Sequence, residues 1–143
     1  MTGTITRGAD VAGHVVLGET LRPVLTTAMG SAIEIFDTTG PADAGPPPHQ
    51  HDWEETYVVL AGELEVRIGD ADPVVIGPGD VAHVPAGTIH GYRNLSEAHF
   101  LTITTKGLAS PFFETVATTV AMDPPDVPGI IRVGEAHGIE FSR

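Results

Sequence analysis

The chain has 143 residues, 41% of them hydrophobic, with 17 glycines, 12 prolines and no cysteine. That length fits one domain of ordinary globular composition and argues against a disordered chain. Without cysteine there are no disulfides, and any metal site must be built from histidine and carboxylate. Nineteen acidic against seven basic residues give a formal net charge of −12, which repels phosphate backbones and argues against a nucleic-acid partner.

The first residues, Met1 to Arg7, lack the apolar core of a signal peptide. No stretch approaches the roughly 20 apolar residues of a membrane helix. A cytoplasmic protein is the resulting expectation.

Residues 21–39 read as two extended segments broken near Met29-Gly30, the second containing the β-branched run Ala32 to Phe36. Gly40 to Pro48 is too rich in proline and glycine for a helix or a central strand and reads as a loop. Thr56 to Leu60 is β-rich, and Glu63 to Ile68 alternates polar and apolar side chains, as a half-buried strand does. Val74 to Ile76, Val81 to Val84, Gly91 to Leu95 and Phe100 to Thr104 follow, separated by glycine-containing turns. Many short strands with almost no helical period predict an all-β sandwich or barrel. The tail differs. Ser110 and Pro111 suit the N-cap and first position of a helix running on through Phe112 to Ala121. A second helix is predicted over Gly129 to His137, closed by Gly138 in the left-handed conformation.

Seven histidines occur, two of them in His49-Gln50-His51. Alternate residues of a strand point to one side, about 6.6 Å apart at the backbone, so both imidazoles can converge on one ion. Glu55 lies four residues further on. In an extended chain it would sit about 13 Å beyond His51, whereas metal–oxygen bonds are about 2.1 Å. Glu55 shares an ion with the pair only if the chain bends at Asp52-Trp53-Glu54 and a new strand starts at Glu55. Alone, a His-x-His pair is more often two exposed histidines than a ligand pair.

The pair belongs to a longer pattern. The stretch from Pro47 through His49, His51 and Glu55 to Gly62 resembles the first motif of the cupin superfamily: His-x-His, three or four residues, Glu, six residues, Gly. Gly79 through Pro85, Gly87 and His90 to Asn94 resembles the second, with every defined position filled. One departure is that the glycine usual six residues before the first histidine is Asp43 here, the nearest glycine being Gly45. The resemblance implies a single cupin domain: a double-stranded β-helix, or jelly-roll barrel, with its core at about residues 21–105 and a short helical tail at about 110–143. It implies that His49, His51, Glu55 and His90 meet a metal inside. Three imidazoles and a carboxylate suit one divalent ion among Fe, Mn, Ni, Co, Cu and Zn, with positions left open for water or substrate.

Around these ligands, strand parity places Tyr57 on the face of Glu55 and Tyr92 on that of His90. Each either lines the pocket, offering a phenol for proton transfer, or packs in the core. Gly79, Pro85 and Gly87 shape turns, and Asn94 satisfies backbone groups. His83 and His99 fall outside the ligand pattern, and His14 and His137 are expected at the surface. Trp53 either caps the barrel mouth or packs in a dimer contact. Arg67 and Arg93 are the basic residues within the predicted barrel strands. Arg93 should point away from His90, which leaves no clamp for phosphates and favours a neutral, phenolic or enolic substrate.

The resemblance to small quercetinase-like cupins points first to a metal-dependent dioxygenase, with Glu55 both ligand and base. Cupins of this size also act as polyketide cyclases, isomerases or lyases, in which the metal is a Lewis acid. A non-catalytic small-molecule-binding module is the third reading. Pairing into a homodimer is a further implication of the resemblance.

Overall fold

Alternation along the strands sets what is buried. In the computed structural model, which describes residues 3–142, the strands at Ile33–Gly40 (β3) and Ala98–Thr105 (β10) bury every second side chain. They pair antiparallel along their whole lengths. The other strands are β1 (His14–Val16), β2 (Glu19–Leu25), β4 (His49–His51), β5 (Glu55–Ala61), β6 (Leu64–Ile68), β7 (Val74–Ile76), β8 (Val81–Val84), β9 (His90–Asn94) and β11 (Ile139–Phe141). Two α-helices, α1 (Ala109–Thr119) and α2 (Val127–Ala136), precede β11.

The strands form two antiparallel sheets in the orders β1-β2-β3-β10-β5-β8 and β11-β4-β9-β6-β7. Neighbours distant in sequence, such as β3 with β10 and β4 with β9, mark a jelly roll. One apolar cluster, with Tyr57, Val59, Leu64, Val66, Val84 and Phe100, fills the space between the sheets. A second joins Leu21, Phe36 and Trp53 to Phe112, Val116 and Ile130 of the helices and Ile139 of β11. The helices therefore seat on the barrel through their apolar faces. No helix among the described residues is long and apolar enough to cross a membrane.

Three features differ from the sequence reading. The sheets extend beyond 21–105, because β1, the start of β2 and β11 all add to them. Three-residue strands carry too little alternation to be recognised. Ser110 is not the cap of α1: the helix starts one residue earlier, and the Ser110 N–H donates to the Glu34 carboxylate of β3 at 3.1 Å. Lys106 and Gly107, both left-handed, turn the chain so that the helix start lies over β3. Finally, α2 begins at Val127, with the Asp126 side chain accepting from the Gly129 N–H at 3.0 Å. Gly138 is left-handed as expected.

Asp43, standing where the motif usually has glycine, has φ = 69°. That region costs most residues strain but is tolerated by aspartate. Its N–H donates to the Asn94 carbonyl at 2.8 Å.

Candidate metal centre

β4 carries two of the four ligand candidates. Its side chains alternate, so His49 and His51 both face inward and are buried, while Gln50 faces out. The strand is held by β11 through three residue pairs, including Phe141 opposite His49 and Ile139 opposite His51. β9 contributes one pair, His49 opposite His90.

The bend required between His51 and Glu55 is present. Asp52 and Trp53 leave the strand, and β5 starts at Glu55. Glu54 is fixed to β10 by hydrogen bonds with Thr105 at 3.0 and 3.2 Å. Trp53 neither caps an open mouth nor faces outward for a partner. It is 2% exposed, and its indole stacks on the His51 ring at 4.0 Å between centroids and 6° between planes.

These constraints bring His49, His51, Glu55 and His90 together, all buried, with one ligand atom from each within 4.8 Å of every other. Each imidazole is fixed by a backbone carbonyl. Nδ1 of His49 lies 2.8 Å from the Pro47 oxygen, that of His51 3.0 Å from the Trp53 oxygen, and that of His90 2.8 Å from the Thr88 oxygen. A carbonyl only accepts, so each Nδ1 carries the hydrogen and each Nε2 turns its lone pair inward. Glu55 Oε2 lies 2.9 Å from His51 Nε2 and 3.0 Å from His90 Nε2.

Neutral Nε2 lone pairs facing a carboxylate oxygen at that distance repel unless a proton or a cation lies among them. Ligands on an octahedral ion with bonds of about 2.1 Å are separated by about 3.0 Å. The donor set and its spacing therefore suit a divalent metal.

The surroundings tune the same groups. Burial pushes His49 down to about 4, reinforced by the adjacent His90, so it is a neutral donor at neutral pH. Burial works against ionised Glu55, but with no ion present the rings of His51 and His90, when doubly protonated, donate through Nε2 and outweigh it, holding the carboxyl well below the usual range. His90 also loses from burial, yet its hydrogen bond to Glu55 gives a net upward shift.

The cluster opens onto a largely apolar cavity walled by Val16, Leu21, Trp53, Phe112, Ile130 and Phe141. About 60 Å³ is open to the centre of a water-sized sphere; a single water needs roughly 10–15 Å³. Tyr92 lines this cavity. Tyr57 does not: it is 1% exposed and packs edge-on against Tyr92 and Phe100 in the core. Its hydroxyl lies close enough to Glu55 for that carboxylate to raise its pKa, with no closer hydrogen-bond partner among the described residues. Burial raises both tyrosines well above their ordinary value.

The other histidines stay outside. His83 bonds Thr56 and Glu54 at the surface, and His99 pairs with Asp37 at 2.7 Å. His14 and His137 are half-buried rather than exposed, His137 because its ring bonds the Val133 carbonyl at the end of α2. Arg93 points outward to Asp43 at 3.2 Å, and Arg67 is exposed. Among the described residues, no basic side chain faces the cavity.

One cavity residue escaped the sequence reading. Glu19 of β2 is 3% exposed, accepts from the Tyr92 hydroxyl on Oε1, and receives the Asn94 amide on Oε2 at 3.2 Å. Asn94 bonds the Pro41 carbonyl as well, so it serves backbone and side chain together. Burial, with a smaller contribution from the Glu55 charge, raises Glu19 to about 7 although its hydrogen bonds oppose the shift. No motif flags Glu19. Its sequence signal is an acidic residue two positions before the inward-facing Leu21.

Comparison with known proteins follows this geometry. The cupin domain family matches residues 37–104. A quercetin 2,3-dioxygenase of Bacillus subtilis is 31% identical over 113 residues, covering 76% of this chain and 31% of that protein. A dimethylsulfoniopropionate lyase of Ruegeria pomeroyi is 43% identical over 53 residues, covering 37% of this chain and 26% of that protein. The chain thus spans a third or less of the length of either. Among solved structures, the polyketide cyclase RemF from Streptomyces resistomycificus superimposes with a TM-score of 0.64 at 24% identity, covering 73% of this chain and 80% of that one. That is a likeness of fold.

Proposed function

We propose that this chain, which matches the cupin domain family over residues 37–104 and gathers three histidines and a glutamate in its cavity, is a metal-dependent enzyme for a small, neutral phenolic or enolic molecule. The observation that carries the reading is the buried convergence of His49, His51, Glu55 and His90, with each Nδ1 committed to a carbonyl. These four would hold the ion. A divalent transition ion there supplies Lewis acidity toward a substrate oxygen and, if redox-active, oxygen chemistry.

The chain's own residues do the rest. The carbonyl bonds keep the imidazoles aimed without rearrangement. Glu55 combines a ligand position with a place beside the cavity, where its carboxylate can accept a proton from substrate. Phe112, Ile130 and Phe141 exclude water. The apolar walls, and the lack of a facing cation among the described residues, favour an uncharged substrate. Tyr57 serves packing in this reading, whereas Tyr92 serves the cavity.

Dioxygenation is the first form of the proposal, supported by the identity to a quercetin dioxygenase across both motifs. Lewis-acid lyase or cyclase chemistry is the second. It is favoured by the Glu19–Tyr92 pair, a proton-handling unit separate from the ligands.

Elemental mass spectrometry of protein purified without added metal, beside a His49→Ala/His51→Ala control, tests the centre. Near one equivalent of metal, lost in the control, is expected. No binding of any candidate ion would refute the reading. Oxygen consumption with flavonols and smaller enols then separates the two forms: uptake supports dioxygenation, and turnover that persists without oxygen supports the second.

A further inference from the structure

We propose that Glu19 is a second acid–base group of this cavity, exchanging a proton with bound substrate through the Tyr92 hydroxyl. The inference rests on reading the cavity as an active site.

The geometry is a built relay. Both residues line the cavity that the metal cluster faces. The Tyr92 hydroxyl donates to Glu19 Oε1, and the Asn94 amide fixes Oε2 at 3.2 Å. Room for the carboxyl comes from Gly40 on β3. A Cβ there would lie 2.9 Å from Glu19 Cγ and 2.9 Å from Asn94 Nδ2. A carboxylic acid 3% exposed in an apolar pocket is costly for folding unless it is used or fully paired.

The step balances. Substrate gives a proton to the Tyr92 oxygen as the Tyr92 proton passes to the Glu19 carboxylate. The products are the substrate anion, unchanged Tyr92 and neutral Glu19; the reverse step returns the proton to product. Burial sets Glu19 near neutrality, at about 7, where a group is an effective acid and base in turn. The groups that bear on it are Tyr92 and Asn94 from β9 and, from β5, the Glu55 charge and the Tyr57 phenol. Glu19 makes no hydrogen bond to any of the four ligands, so its loss should not empty the centre.

The test uses the zinc-loaded chain and its Glu19→Gln, Glu19→Asp and Tyr92→Phe variants, with cyclohexanone as a carbon-acid probe. Loss of its α-protons in deuterated buffer is followed by proton NMR across the neutral range. Wild type is expected to accelerate exchange with a rate that climbs as Glu19 ionises. Glu19→Gln and Tyr92→Phe should lose about 100-fold, and Glu19→Asp should recover part, all at unchanged zinc content and with a cooperative thermal transition retained. On the metal-free protein, carbon-13 NMR of the side-chain carboxyls should show one resonance titrating near neutrality that is missing from Glu19→Gln. Glu19 titrating in the ordinary carboxylate range, a wild type that exchanges no faster than buffer, or a Glu19→Gln variant as fast as wild type would each overturn the proposal. A wild type that binds no zinc refutes the metal reading alone, since the carboxyl titration still decides the role of Glu19.

Discussion

Replacing Glu19 with glutamine should change how stability depends on pH, by an amount that follows from the cavity. Glutamine copies the shape of the neutral acid and keeps its oxygen acceptor, but it cannot ionise. The Glu19 carboxyl rises from 4.5 to about 7 on folding, because β2 buries it beside Tyr92 and Glu55. Below the lower value the acid is neutral in both folded and unfolded chains and costs nothing. Between the two, the unfolded chain ionises first and the folded state loses ground. Above about 7 the full cost is present, about 3 kcal/mol at 1.36 kcal/mol per pH unit. Urea unfolding of the metal-free wild type and of Glu19→Gln, from about pH 4 to about pH 8.5, measures the difference directly, and groups common to both proteins cancel. The variant should gain about 3 kcal/mol relative to wild type across that range, mostly between 4.5 and 7. A difference constant to within about 1 kcal/mol would refute the assignment of Glu19 as a buried acid.

Other expectations follow from the same geometry. Trp53→Ala removes a ring that fills the core and stacks on His51; it should cost about 3–5 kcal/mol by urea unfolding and weaken metal binding by titration calorimetry. Gly62→Ala would place a Cβ 2.2 Å from the Glu97 carbonyl at φ = 81° and should cost about 2–4 kcal/mol, read as a lower thermal midpoint. Gly40→Ala should cost about 1–3 kcal/mol and displace the Glu19 carboxyl, seen as a changed pH at which its carbon-13 resonance titrates. Deleting residues 139–143 removes β11 from β4 and should weaken metal binding at least about 10-fold, as loss of ligand support does elsewhere.

The parts of the site that depend on local chemistry were legible in the sequence. His49, His51 and Glu55 lie within seven residues of one another, and the glycines and prolines around His90 give its turn a recognisable spacing. Even the bend at Asp52 to Glu54 followed from bond lengths and strand rise. What tertiary contact alone decides was not legible. Glu34 caps α1 from 76 residues away, so a local serine looked like the better candidate. Glu19 meets Tyr92 across 73 residues, and nothing near it in sequence marks that meeting. Strand parity placed Tyr57 and Tyr92 inward correctly but could not tell a residue under the core from one on the cavity wall.

β11 binds β4 along three residues, whereas β9 meets it at one. The strand that presents two ligands thus depends for its backbone partner on residues about ninety positions later, as the Gln50–Glu140 hydrogen bond shows. An ion joined to His49 and His51 would grip that strand from its inner side. Two grips on one short strand are thermodynamically reciprocal: whatever factor the docked strand adds to ion affinity, the ion adds to docking. Amide exchange at residues 139–141 would therefore act as a gauge of occupancy at the centre, slowing as the ion loads, although none of those residues touches it.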